Sequence, residues 1–472
     1  MAKMENKTRN PTSLQATLES AVQRHHVAGA NLAVFHNGEL ITAAAGVANT
    51  AAGIEMTPDT LVHIHSITKV FTVTLIMQLV DEGQLDLGDP VLRYLPDLKL
   101  KDSEALERIT VKMLLNHTSG IDGDMLPDCG HDDETIEKAI LRFAKFDQIH
   151  EPGTACSYCN GALVIAGYLA QQITGKSWHN LVKEKIFAPL DMENSAVLPE
   201  DALLHRCSVG HYFNPITGEI ERGDSAFMPL SFAPSGSNLM LSASDLVIFA
   251  RTHIRNGIGP NGKRILSEQS AKAMRQMTVK DVPLHNVNGI GLGWLLFNNG
   301  VVGHSGGGAG NVSMLYVYPQ KEFALAILAN TNNGAVMIKE VIKPLIKEIA
   351  NIPLYGDYDE LCHGVKDVVV DVTRYVGVYE NISTRYEITA QSSGLGLSVQ
   401  GKFEMNDGSS IMPSPVVPLS PLGGDNFLLK PAEGHSLFQI APISFSNIET
   451  GGCARYLVSK GRFYQRRLVD EC

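Results

Sequence analysis

The stretch SITKVFTVTLIMQLVDEG, residues 66 to 83, most constrains this chain. Its helical spacing predicts a helix over 66–82, closed by Gly83. Val70, Val73, Leu75, Ile76, Leu79 and Val80 fill most of the circumference instead of one stripe. A helix apolar nearly all round cannot lie on a surface, so the rest of the fold must enclose it. Yet its first turn carries a serine, Ser66, and three residues on a lysine, Lys69.

Enclosing such a helix needs a large core. The chain has 472 residues, 44% hydrophobic and 19% charged, enough for two or three ordinary domains. The net charge of −11, with no clustered basic stripe, argues against nucleic acid and anionic membrane as partners. Val70–Val80 and Phe323–Ala329, the most apolar runs, are too short or too polar to span a bilayer. The N-terminus MAKMENKTRNPTSLQ has no apolar run after its charges, so the expectation is a cytoplasmic protein. Seven cysteines, scattered and odd in number, read as no disulfide framework and agree with a reducing compartment. Cys156 and Cys159 form one C-x-x-C without a second pair, a poor zinc signal.

GANLAVF and GELITAAAGVAN read as two strands joined by the turn HNG. NGALVIAGYLAQQIT, residues 160–174, reads as a helix closed by Gly175. Strand patterns return over 301–330, followed by a helix over Ala335–Ala350. That order implies a sheet using both ends of the segment, with helices between. Near residue 360 the composition turns polar. Beyond it YVGVYE, YEITAQ, LGLSVQ, NFLLKP, SLFQIA and RYLVSKGRFYQRRL alternate between turn residues, the pattern of a small antiparallel sheet or barrel. Met412–Gly424, rich in proline, reads as a loop.

Residues three apart on a helix share a face, with Cβ atoms roughly 5–6 Å apart, so Lys69 can reach the Ser66 hydroxyl. Serine is a weak nucleophile until a base takes its proton. Lysine is that base only if neutral, which needs burial or a second cation. A helix start also favours an oxyanion. By itself the pair is weak, because serine and lysine fall three apart by chance several times in such a length.

Further segments change this: DEGQLDLGDPVLRYLP (Asp81–Pro96), ITVKMLLNHTSGI (Ile109–Ile121), Glu151–Ser195 with Tyr158 and Asn160 two apart, and GHSGGGAG (Gly303–Gly310) before a strand. In order and spacing, residues 15 to 350 resemble the serine hydrolases related to class C β-lactamases, penicillin-binding proteins and D-aminopeptidases. Their pattern S-x-x-K, Y-x-N, then K-T-G or H-x-G is matched by Ser66-Ile67-Thr68-Lys69, Tyr158-Cys159-Asn160 and His304-Ser305-Gly306.

The resemblance implies an α/β (α+β) β-lactamase-like domain over 12–355, an antiparallel sheet flanked by helices plus a helical subdomain. It also implies a lipocalin-like, barrel-like all-β domain over 365–472. It implies Ser66 as acylated nucleophile, with Lys69 and Tyr158 sharing the base work. Asn160 would hydrogen-bond substrate or Lys69, and His304, Ser305 and Gly306 would line the site. The backbone N–H groups of Ser66 and Gly307 would form the oxyanion hole on an edge-facing strand. No cofactor or metal is called for.

Each residue has a structural reading as well. Tyr158 suits a core, Asn160 suits a helix N-cap, and His304 suits packing. NHTSG (Asn116–Gly120) reads as a structural turn, and His63 and His65 read as packing residues before they read as metal ligands. His65, directly before Ser66, would touch substrate if it lined the site. His304 stands where β-lactamases place a substrate-binding lysine, which directs the expectation toward peptidase and esterase chemistry. Cys156 and Cys159 flank Tyr158 and suggest an oxidation-sensitive site.

The expected activity is hydrolysis of a small ester or amide, a D-amino-acid amide or peptide among them, through an acyl-enzyme. An acyltransferase with an acyl acceptor is the alternative, followed by a β-lactamase and by a catalytically silent binding protein. A homo-oligomer is left open.

Overall fold

The computed structural model describes residues 11–125, 127–349, 371–392, 394–402, 411–429, 441–448 and 452–467. SLFQIA and the polar stretch around residue 360 lie largely or wholly outside them.

One sheet organises the larger domain. Its strands are β1 (Gly29–His36), β2 (Glu39–Asn49), β3 (Ile54–Glu55), β4 (Gly289–Ile290), β5 (Leu295–Leu296), β6 (Val302–Gly308), β7 (Asn311–Tyr318) and β8 (Phe323–Ala329). The order is β3-β2-β1-β8-β7-β6-β5-β4, and the pairs are antiparallel. Strands from the two ends of the domain thus meet at the centre, where Ala33 of β1 faces Ala326 of β8. Asn37 and Gly38, at φ 51° and 89°, make the tight turn between β1 and β2, as HNG predicted.

The continuous apolar run FALAILA follows from burial on both faces. Phe323, Leu325 and Ile327 enter a core with α1 (Pro11–Arg24) and α5 (Gly334–Ile349). Ala324, Ala326 and Leu328 enter the opposite core, with α2 (Thr68–Asp81), α3 (Asn160–Thr174) and α4 (Ala243–Ile254). Neighbouring residues of a strand point to opposite faces, so both sets must be apolar. In α2, Val70, Phe71, Val73, Leu75, Ile76 and Leu79 are all buried, as a helix apolar all round requires. Each contributes about 1.5–3 kcal/mol when fully buried.

The α-helix starts at Thr68, not Ser66. His65–Ile67 form a 3-10 turn that leads into it. His65 has φ 45°, so Ser66 follows a residue in the left-handed region. That backbone is costly for a non-glycine residue and needs support from its neighbours.

The C-terminal domain is a closed eight-stranded barrel: β9 (Gly377–Glu380), β10 (Thr384–Gln391), β11 (Gly394–Gly401), β12 (Val417–Gly423), β13 (Asn426–Leu429), β14 (Ala441–Ile448), β15 (Ala454–Ser459) and β16 (Arg462–Arg466). Tyr379 of β9 facing Arg466 of β16 closes it. Tyr379, Ile388, Leu397, Phe427, Phe445 and Leu457 fill the interior. The proline-rich stretch read as a loop contains strand β12. Its prolines 418 and 421 face Gly396 and Phe427, and the register shifts between Pro421 and Gly423. Irregular pairing of this kind is where a sheet accepts prolines.

Candidate active site

Ser66 sits on its 3-10 turn between α2 and β6, half-buried. Glycines make the enclosure possible. A Cβ on Gly236 would lie 2.4 Å from the His65 carbonyl carbon, and one on Gly306 would lie 2.1 Å from the Ile64 oxygen. At Gly307, by contrast, a Cβ would meet only the Asn311 oxygen at 3.8 Å, and the residue is exposed. The glycine at 307 therefore leaves open space beside Ser66's turn.

Lys69 is fully buried. Its Nζ lies 3.1 Å from Ser66 Oγ and donates to the Ser235 carbonyl at 2.6 Å. Burial pulls its pKa down to about 7; Asp124 opposes the fall and Arg462 adds to it. A neutral amine can donate to Ser235 and still offer its lone pair to the Ser66 hydroxyl. The same Nζ lies 4.9 Å from the Tyr158 ring centroid.

Tyr158 is held from several directions. The His117 ring packs against it at 4.3 Å between centroids, and His304 lies at 6.2 Å. The NHTSG turn thus supports this tyrosine directly: the Ser157 N–H donates to the His117 carbonyl at 2.9 Å. The Cys159 N–H donates to His117 Nδ1 at 3.2 Å. The helix N-cap expected at Asn160 is Cys159, whose Sγ accepts from the Ala162 N–H at 3.3 Å. Asn160 is the first residue of α3, and its backbone N–H donates to Asp124 Oδ1 at 2.9 Å.

His304 is buried, and burial brings its pKa down to about 3. The Ser305 carbonyl, 2.6 Å from Nδ1, can only accept, so Nδ1 carries the proton and the ring is neutral. The sequence expectation of an edge-facing strand holds locally. β5 pairs with Val302 and Gly303 alone, which leaves Ser305–Gly308 beyond its ladder. His65 lies beneath this strand, 2% exposed and stacked on His63 at 5.3 Å. Burial holds their pKa values at about 3 and about 4, so both are neutral packing residues. Among the described residues no group of three His, Cys, Asp or Glu could hold a metal ion. Nor is any described helix long and apolar enough to cross a membrane.

The cysteine expectations need correction. Cys453 is disulfide-bonded. Cys156 and Cys159 are free and buried, and burial pushes both thiols up to about 12. A thiol so held is inert, which removes the ground for an oxidation-sensitive site.

In relatives that the C-terminal segment resembles, the barrel can cap the active site, but the sequence singled out none of the barrel residues that reach the site here. The β15–β16 turn reaches it: the Tyr158 N–H donates to the Gly461 carbonyl at 2.8 Å, and the Phe463 N–H donates to Ser157 Oγ at 3.2 Å. The Arg462 guanidinium lies 4.7 Å from the Tyr158 ring centroid and pairs with Asp124. GRFYQRR carries no spacing signal linking it to a tyrosine some 300 residues earlier.

Residues 14–342 match the family model described as Beta-lactamase. Penicillin-binding protein 4 of Amycolatopsis lactamdurans is 33% identical over 371 residues, which cover 78% of this chain and 96% of that protein. The crystal structure of SurE superposes with a TM-score of 0.77 at 26% identity, covering 97% of this chain and 99% of that one. The D-amino acid amidase of Ochrobactrum anthropi SV3, at 26% identity and a TM-score of 0.60, covers 73% of this chain and 99% of its own. The match to SurE runs through the barrel as well. The chain is a serine hydrolase and belongs to the beta-lactamase family.

Proposed function

We propose that Ser66 is acylated by a small amide or ester of a D-configured amino acid, with Lys69 and Tyr158 as its shared base. The observation that carries this is the contact at 3.1 Å between a buried Lys69 amine and the Ser66 hydroxyl. A lysine with a pKa of about 7 is largely neutral at slightly alkaline pH and can take the serine proton. Tyr158, within reach of the same amine, relays a proton to the leaving group. The N–H groups of Ser66 and Gly307 would receive the oxyanion, where the open space at Gly307 lets a carbonyl approach. Asn160, His304, Ser305 and Gly306 would line the substrate side.

D-configuration is suggested by two relatives. One structure is of SurE with D-Leu, at a TM-score of 0.75 and 26% identity, and the amidase is named for D-amino acids. A neutral His304 offers no cation for the substrate carboxylate that β-lactamases hold with lysine, which supports amidase or esterase chemistry over β-lactam hydrolysis.

A panel of D- and L-amino acid anilides, p-nitrophenyl esters and a chromogenic cephalosporin tests this reading. Turnover of D-configured amides or esters at least tenfold above the L-forms is expected, and cephalosporin as the best substrate would overturn it. Product analysis with an added amine tells free acid from transferred acyl group.

A further inference from the structure

We propose that Arg462, carried by the barrel, is a positioning residue that supplies the fixed positive charge setting the protonation balance of the Lys69–Tyr158 pair. The proposal rests on the reading of Ser66, Lys69 and Tyr158 given above and extends it to a second domain.

The charge is missing elsewhere. Relatives of the β-lactamase type place a lysine at the position of His304, and here that ring is neutral. The groups facing the Lys69–Tyr158 pair can be taken element by element. The NHTSG turn brings His117, whose pKa burial holds well below its ordinary value, so it is neutral. β6 brings neutral His304, and the start of α3 brings the protonated Cys159 thiol. The segment that follows the NHTSG turn brings Asp124, with Asp122 two residues before it. The barrel turn brings Arg462, with Lys460 reaching solvent beside it. The nearest charge pair is therefore Arg462 and Asp124, joined to each other.

The placement of Arg462 is built rather than incidental. Lys460 and Gly461 form a two-residue turn with φ 48° and 80°, a lysine standing where glycine or asparagine is usual. That turn is tied to the tyrosine segment by the two backbone-directed bonds at Gly461 and Phe463. Asp124 accepts from the Asn160 N–H with one oxygen and from Arg462 with the other. The Y-x-N segment is thus bracketed by Asp124 and Arg462 at once. The Arg462 guanidinium and the Lys69 amine lie 4.7 Å and 4.9 Å from the same ring centroid. A fixed cation at this range favours the state of the pair that carries one proton fewer, which is the state that can accept the Ser66 proton.

The test compares the pH dependence of Ser66 phosphonylation by a fluorophosphonate in the full chain, for wild type, Arg462→Gln, Arg462→Lys and Asp124→Asn. Peptide mass first locates the adduct; a site other than Ser66 overturns the underlying nucleophile assignment and this proposal with it. With the adduct on Ser66, Arg462→Gln should label to completion but with its acid limb raised by about one pH unit. Arg462→Lys should restore the limb. Asp124→Asn keeps one acceptor oxygen, enough for one of the two partners, and removes the opposing charge, so its limb should fall. A slower Arg462→Gln enzyme with an unmoved limb, or a change in KM alone with a model ester, would show a merely structural or substrate-holding residue and overturn the proposal. If Arg462→Gln does not fold, the double variant Asp124→Asn/Arg462→Gln, which leaves no unpaired charge buried, decides against Asp124→Asn: a limb above that of Asp124→Asn supports the proposal, an equal or lower limb contradicts it.

Discussion

The backbone N–H of Tyr158 donates to the carbonyl of Gly461 across the interface between the two domains, at 2.8 Å. The Tyr158 segment of the hydrolase domain is therefore held by a turn of the barrel. The Ser157–Tyr158 segment and barrel docking are physically linked by that bond and by the neighbouring one from Phe463 to Ser157.

Activity should rise with pH through about 7. Lys69 works as a base only when neutral, and burial brings its pKa down to about 7. The acid limb of kcat/KM measured from pH 5 to 9 checks this. A limb near 10, the ordinary lysine range, would show that Lys69 is not desolvated in solution.

Lys69→Met should abolish turnover, with a loss of about 10³-fold or more. It should also stabilise the fold. The folded pKa of Lys69 lies below its ordinary value, so the unfolded chain binds a proton that the folded chain does not. The resulting cost is absent above the unfolded pKa, grows as pH falls, and is complete below about 7. The variant should thus gain about 1–3 kcal/mol at pH 6 and little at pH 10. Denaturant unfolding at both pH values measures the difference.

Asp122 behaves in the opposite sense. Burial, with Asp124 nearby, pushes its carboxyl up to about 7, while it accepts from the Ile382 N–H of the barrel at 2.7 Å. Below its unfolded pKa both states are protonated and nothing is lost. As pH rises toward 7 the unfolded chain sheds its proton first, and the fold is penalised. Asp122→Asn should gain about 1–2 kcal/mol at pH 8 and nothing at pH 4. The difference in Tm between the two buffers reads this directly.

Cys156 and Cys159 should resist iodoacetamide in the folded protein. With thiols pushed up to about 12, the thiolate fraction at pH 7.5 is on the order of 1 in 10⁴. Peptide mapping after alkylation, with and without denaturant, checks that both react only on unfolding. Peroxide treatment should leave turnover unchanged.

Much of this architecture was legible because patterning and burial agree. The unbroken apolar run of FALAILA marks a strand covered on both faces, and the all-round apolar α2 marks an enclosed helix. The Ser66–Lys69 spacing predicted their contact. What the sequence hid depends on long-range docking. Ser235 meets Lys69 through a carbonyl that any residue could provide. Arg462 and Gly461 meet Tyr158 only because a closed barrel lands its last turn there. The 3-10 start at Ser66 and the cap at Cys159 were missed for a local reason. A serine before an apolar helix and an asparagine before another both resemble caps, and backbone packing decided otherwise.

The central claim is that Ser66 is the nucleophile. Intact-protein and peptide mass after fluorophosphonate treatment of wild type and Ser66→Ala tests it most directly. The account predicts one adduct per wild-type chain, mapped to Ser66, and none on the variant, with turnover lost in parallel. An adduct of equal yield on Ser66→Ala would contradict it.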